Sequence, residues 1–515
     1  MNSKAKILVI SFVWLIAVAF ICVACKYILM PHREAIQKEV AQKVKAQKVA
    51  QTSSESHYKI NVDFALDSFS GYSILRSNEM LNELSAKKIK FNPIDDGADY
   101  PARLAKLKSG ELQMASFTID ALIKASSDPS MSDLPVSIIS IIDETRGADG
   151  LVAYKQAVPN IDALNDPEMK FVLTKDSPSE TLARVLIAHF GLTNLSQNNF
   201  IYVKDAQEVY KTYRSSKPEQ KQVYVLWEPY ISKIIENPNC HALIDSSKFR
   251  GYIVDVVVAS RDFIIKNPEV VKEFLEAYFR ASYTISKKEK GLLVLCTEDA
   301  KLGGTPLSPI QAERLVKGIW FKNTQENFAH FGLNGDKPLQ HIQDMILNIT
   351  KVLLTTKAIA KDPTNSSPQA LCYDKALIAL SAANFHPGLE NVRKDNDDLP
   401  QLSEEQWNSL IAVGTLDVPQ IVFARGSSTI TEQGKVTIDE LLLKLKSWRS
   451  YYVTIRGDAS LKGDVEANKA LAMQRARAVE AYCLQQGVGR TRVKAIAAEP
   501  TGNTAVIFQL GYTPY

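Results

Sequence analysis

From Tyr58 onward short strand patterns alternate with helical ones, and this alternation constrains the fold more than any other feature of the chain. Lys59-Ile60-Asn61-Val62-Asp63-Phe64 alternates polar and apolar side chains as a half-buried strand does. Asp67-Ser68-Phe69-Ser70-Gly71-Tyr72 is a polar loop leading into a helix. A second strand follows at 89–92, then a helix at 99–109 closed by Gly110 at a C-cap position. Met114-Ala115-Ser116-Phe117-Thr118 is a short strand. Repeated β–α units of this length predict a parallel sheet covered by helices. Beyond residue 383 the composition shifts, and 384–400 is poor in apolar residues and reads as a linker. A compact second alternation follows, with strands at 420–423, 451–455, 493–497 and 505–510 and helices at 431–447 and 468–486.

Ahead of all this, residues 7–25 carry no charge. As a helix rising ~1.5 Å per residue they span about 28 Å, close to a hydrocarbon core of ~30 Å. A cleaved signal has a shorter apolar region and an A-x-A-like exit. Cys22-Val23-Ala24-Cys25 lacks the leucine that a lipoprotein signal places three residues before its cysteine. The reading is an uncleaved anchor over 1–30 and a spacer over 31–57, with a lipoprotein or a cleaved leader as alternatives. Lys4 and Lys6 precede the span, but Lys26, Arg33, Lys38, Lys43 and Lys45 follow it. Flanking charge alone would leave the bulk of the chain in the cytoplasm.

At about 150 residues per domain, 515 residues allow two to four domains. A net charge of +4 is too small for a nucleic-acid footprint spread over the chain, and no nucleic-acid partner is expected. Six cysteines do not make a disulfide scaffold, and their spacing assigns neither a pairing nor a zinc site. The seven histidines are scattered, without H-E-x-x-H, a G-x-S-x-G elbow, a P-loop or a dinucleotide glycine fingerprint. No catalytic residue, metal site or cofactor is expected, and the chain does not read as an enzyme.

Several segments share an order with a known family. They are Leu107-Lys108-Ser109-Gly110-Glu111-Leu112-Gln113-Met114-Ala115, Ile142-Asp143-Glu144-Thr145-Arg146-Gly147-Ala148-Asp149-Gly150, Ser177-Pro178-Ser179-Glu180-Thr181, Leu226-Trp227-Glu228-Pro229-Tyr230 and Phe263-Ile264-Ile265-Lys266-Asn267-Pro268-Glu269. In this order residues 58–383 resemble the solute-binding proteins of ABC transporters of the sulfonate, nitrate and thiamine-precursor class. The resemblance implies an α/β periplasmic-binding-protein fold, two lobes joined by crossover strands and closing on a small-molecule ligand. Ser177-Pro178-Ser179-Glu180-Thr181 opens a helix, where unsatisfied N–H groups and hydroxyls either cap the helix or hold an anionic group. The candidate ligand residues are Ser177, Ser179 and Thr181, facing Ser68, Ser70, Gly71 and Tyr72, with Thr118 and Asp143 nearby at strand ends. Asp149 and Glu228 read equally as hinge or fold residues, and Trp227 as core.

The C-terminal segments point to a second family. Val418-Pro419-Gln420-Ile421-Val422-Phe423 comes first, with Gly426-Ser427 and Ile430. Gly457-Asp458-Ala459-Ser460-Leu461-Lys462-Gly463 follows, then Asn468, Leu471, Arg475, Ala476, Ala478 and Val479. Residues 416–515, after a linker over 384–415, resemble the peptidoglycan-binding domain of outer membrane protein A and its flagellar-stator relatives, a small α+β fold. That family grips meso-diaminopimelate with a turn aspartate for the ammonium and a helix arginine for the carboxylate. The arginine position is Arg475. The aspartate position holds Ser460 and the histidine position Asp458, so the ammonium loses its usual ion-paired partner unless Asp458 serves instead. Asn468 completes the candidate wall-binding set.

Together the resemblances imply a single-pass inner-membrane protein with its bulk in the periplasm, because long domains translocate regardless of flanking charge. The expected role is a sensor or scaffold that binds an anionic or zwitterionic solute and holds peptidoglycan, with a permease or envelope complex as a further partner. The alternatives are a tethered transport receptor and a structural envelope protein with a vestigial cleft.

Overall fold

The computed structural model describes residues 57–515 apart from 229, 305, 335–338, 394–398, 425, 459–460, 498–504 and 514–515. The expected span at 7–25, and with it the spacer as far as 56, lies outside the described residues. Among the described residues no helix is long and apolar enough to cross a membrane.

The chain first lays down β1 (Ile60–Leu66), β2 (Ile89–Asp95), β3 (Met114–Thr118) and β4 (Val136–Thr145). It then leaves for a second sheet of β5 (Asp149–Tyr154), β6 (Lys170–Thr174), β7 (Phe200–Val203), β8 (Gln222–Trp227) and β9 (Cys240–Asp245). It returns to the first sheet with β10 (Val254–Ser260) and β11 (Ile319–Phe321). The first sheet has the order β11-β4-β10-β3-β1-β2 and the second β7-β6-β8-β5-β9. Two connections join these lobes, from Thr145 to Asp149 and from Asp245 to Val254. This is the two-lobed plan with crossover strands that the sequence implies. All ten residues of β4 are buried, including the run Val136-Ser137-Ile138-Ile139-Ser140-Ile141-Ile142, as expected of a strand covered on both faces.

Local chemistry sets the ends of these elements. Asp99 caps the helix Tyr100–Ser109 by accepting from the Ala102 N–H, and Gly110 ends it at φ 82°. Arg103 on this helix is fully buried, paired with Asp96, 3.4 Å from Asp67 and donating to the Ser116 carbonyl at 2.5 Å. It fixes the loop after β1 against the sheet.

The third sheet runs β12 (Ile411–Thr415), β15 (Val506–Tyr512), β13 (Tyr452–Gly457) and β14 (Val493–Ala497), in that spatial order. It is flanked by the helices Glu432–Ser447 and Val465–Gln485. β12 and the short helix Glu404–Asn408 fall inside the stretch read as linker, and the sheet therefore starts before residue 416. In place of the expected strand at 420–423 there is a single bridge, Phe423 to Ile430.

Trp448, fully buried, holds this third sheet and its helices to the two lobes. Its ring lies 5.6 Å from His189, 5.3 Å from Phe190 and 5.6 Å from Phe249. The indole N–H donates to His189 Nδ1 at 2.7 Å, so that nitrogen carries no proton, and Nε2 meets the Tyr252 hydroxyl at 2.9 Å. Burial, with Lys444 and Lys351 nearby, pushes His189 down to about 3 and keeps it neutral. Asp417 N–H donates to the His189 carbonyl at 2.8 Å, and Arg250 N–H to the Ser447 carbonyl at 2.9 Å. Phe249, Arg250 and Tyr252 all belong to the second crossover.

Candidate functional site

The cleft is built at the ends of strands from both lobes. The first lobe contributes the loop Asp67–Tyr72 after β1, Thr118 at the end of β3, Asp143 near the end of β4 and Asp255 at the start of β10. The second contributes Asp149 at the start of β5 and the helix Pro178–His189 after β6. Ser70, Gly71, Tyr72, Thr118, Asp143, Ser177, Ser179 and Thr181 come together here and are buried, while Ser68 is exposed on the same loop.

The hydroxyls at the helix start are already engaged. Ser177 Oγ donates to the Thr174 carbonyl at 2.7 Å and makes no side-chain cap, contrary to the capping alternative. Ser179 Oγ donates to Asp149 at 3.4 Å, and Thr181 Oγ1 to Asp120 at 2.5 Å. The last bond crosses between lobes. So does the pairing of Lys124 with Glu180 at 3.3 Å and with Asp176. These contacts describe a closed cleft.

Its electrostatics are acidic. Asp120, Asp143, Asp149 and Asp255 are each at most 4% exposed, and Asp67 stands beside them. Burial pushes Asp143 and Asp149 up to about 7, raises Asp120, and raises Asp255 well above the carboxylate range. The Tyr72 hydroxyl donates to Asp255. Gly71 lies so close to Asp143 that a Cβ there would stand 2.5 Å from its Oδ2. These carboxyls bring no positive charge to meet an anionic group, and where they ionise they favour a cationic one.

Asp67, Asp120 and Asp255 were not among the expected site residues, and Asp149 was left between hinge and fold. The signal for Asp120 and Asp255 is a charge inside an apolar run: Ile119-Asp120-Ala121-Leu122-Ile123 and Val254-Asp255-Val256-Val257-Val258. Trp227 is half-buried, and Glu228 accepts from Ser232 and lies 3.8 Å from Arg314.

In the third sheet, Asp458 follows β13 and is 8% exposed, with its N–H donating to the Ala505 carbonyl at 2.8 Å. Asn468 and Arg475 are two turns apart on the helix Val465–Gln485. Asn468 donates to the Lys462 carbonyl at 2.8 Å. Arg475 donates to the Ser427 carbonyl at 3.1 Å and lies 4.9 Å from the centre of the Phe423 ring. Ser460 lies outside the described residues. Among the described residues no group of three or more His, Cys, Asp or Glu side chains could hold a metal, and Cys240, Cys296, Cys372 and Cys483 are free thiols.

Residues 422–507 match the OmpA family, and this part of the chain is an OmpA domain. No curated protein matches the chain. Among solved structures, the periplasmic aliphatic sulphonate binding protein of Escherichia coli is 12% identical, covering 62% of this chain and 99% of its own, with a TM-score of 0.45. The ligand binding component of an ABC-type import system from Staphylococcus aureus is 13% identical, covering 62% and 98%, with a TM-score of 0.44. A sulfonate-binding protein from Methylobacillus flagellatus is 13% identical, covering 65% and 99%, with a TM-score of 0.45.

Proposed function

We propose that this protein is an envelope-attached solute receptor. Its two lobes close on a small molecule, its OmpA domain holds peptidoglycan through Asp458, Asn468 and Arg475 with Ser460, and its first apolar segment fastens it to the inner membrane with the bulk in the periplasm. The observation that carries the sensing role is the double use of the second crossover. The segment between Asp245 and Val254 joins the lobes, and the same segment supplies Phe249, Arg250 and Tyr252 to the seat of Trp448. A hinge motion that reorients this segment acts on the OmpA domain directly. A receptor that only delivers cargo to a permease has no use for such a link, which supports a sensor or scaffold over a transport receptor.

Retention on purified sacculi tests the wall arm. The full chain is expected to co-sediment, and Arg475→Ala to lose most of that retention, because the guanidinium is the group proposed to take the diaminopimelate carboxylate. Equal retention of both proteins removes that role from Arg475.

A further inference from the structure

We infer that the interlobe cleft takes a small organic cation, a solute whose ammonium group replaces a proton shared between Asp143 and Asp255. The inference rests on the receptor reading and names the ligand class of that site.

Asp143 on β4 and Asp255 on β10 are register partners across an antiparallel pair, 0% and 1% exposed. Neither oxygen of Asp143 meets a hydroxyl, amide or cationic donor. Its hydrogen-bonding neighbour is the Asp255 carboxyl, which donates only when it carries a proton. Two adjacent carboxyls out of reach of solvent do not both ionise. In the closed cleft the pair therefore holds a proton, and burial pushes Asp143 up to about 7.

The cations around the pair are engaged elsewhere. Glu144, next on β4, takes Lys322 at 2.9 Å and Arg146 at 3.2 Å. Asp67 takes Arg103, and the cation nearest Asp120 is Lys124, which is shared with Glu180 and Asp176. Cys296, on the helix Gly291–Leu302, has its thiol pushed up to about 11 by burial and brings no positive charge.

Aromatic groups stand where an ammonium would sit. Tyr278 is fully buried, close enough to feel both carboxyls, and its hydroxyl has no partner. Tyr72 donates to Asp255, and Phe69 packs edge-on against it with ring centres 5.4 Å apart. Carboxyls with aromatic rings suit an ammonium ion. A metal ion asks for more ligands than this pair supplies, and the described residues offer no such group. The loop Asp67–Tyr72, on the same lobe, covers the pair through Gly71, and a solute reaches the carboxyls when this loop and its Tyr72 bond to Asp255 give way.

Calorimetry on the full-length protein tests this with choline and putrescine as cations and methanesulfonate as the anion, at pH 5.5, 6.5 and 8. A cation is expected to bind with proton release, read as a buffer-dependent heat. Its Kd should tighten by up to about tenfold between pH 5.5 and 6.5 and level off above about pH 7. Replacing both carboxyls, Asp143→Asn with Asp255→Asn, removes cation binding and the proton release with it. If that variant does not fold, Tyr72→Phe keeps the carboxyls but loses a hydrogen bond to the charged form, moving the levelling to higher pH. Binding of methanesulfonate with neither cation bound overturns the cation assignment and leaves the receptor reading standing. Cation binding without proton release and with one Kd at all three pH values also overturns it. No heat from any of the three overturns the inference together with the receptor reading.

Discussion

Gly71 and Asp143 show how tightly the cleft floor is specified at the level of single residues. A methyl at Gly71 would stand 2.2 Å from Phe69 Cε1 and 2.5 Å from Asp143 Oδ2. Gly71→Ala is therefore expected to lower stability by about 1–3 kcal/mol in urea unfolding, the usual scale of overpacking. Asp143 adds a pH signature. An unfolded aspartate titrates near 3.9, whereas the folded one is raised to about 7. Its contribution to stability is fully present below about pH 4 and is lost as pH rises toward 7. An amide in its place carries no such titration, so the stability of Asp143→Asn relative to the wild type should rise between pH 5 and pH 8. A difference that stays flat or falls means that the Asp143 carboxyl does not hold its proton in the folded chain. The sequence places Asp143 at a strand end and Ser179 and Thr181 at a helix start, and the structure has them there. That these hydroxyls donate to carboxyls is not legible locally, because Asp149 reaches Ser179 from the start of β5 and Asp120 reaches Thr181 only across the pairing of the lobes.

Among the elements, those with strong local signals were legible. The strand at Met114–Thr118 and the strand at Val493–Ala497 stand where the apolar pattern put them, and Gly110 ends its helix in the left-handed conformation its position suggested. Ile411-Ala412-Val413-Gly414-Thr415 was hidden in a polar stretch. It is a strand because it pairs with β15, and its Gly414 lets Phe190 approach to 2.7 Å of where a Cβ would stand. Nothing local foretold the seat of Trp448, whose partners His189, Phe190 and Phe249 come from two distant segments. Trp448→Ala removes a fully buried ring and an indole hydrogen bond, and should cost about 3–5 kcal/mol. Denaturant unfolding of this variant should separate into two transitions, one for the lobes and one for the OmpA domain. A single transition shifted as a whole would mean that Trp448 is core for its own domain and not the link between the two.

In the whole molecule, the two lobes, the crossovers and the OmpA domain share one continuous apolar cluster that runs from Leu104 and Ile141 through Leu186 and Phe249 to Trp448 and Phe508. The interlobe cleft and the OmpA domain are then two ends of one packed body, and the second crossover is where they meet. Hydrogen exchange on the full-length protein, with and without a solute that stabilises it, is the most direct measurement of that coupling. Solute is expected to slow exchange in residues 245–254 and also in residues 444–451, which carry Trp448. Slowing confined to the lobes, with 444–451 unchanged, would contradict the account.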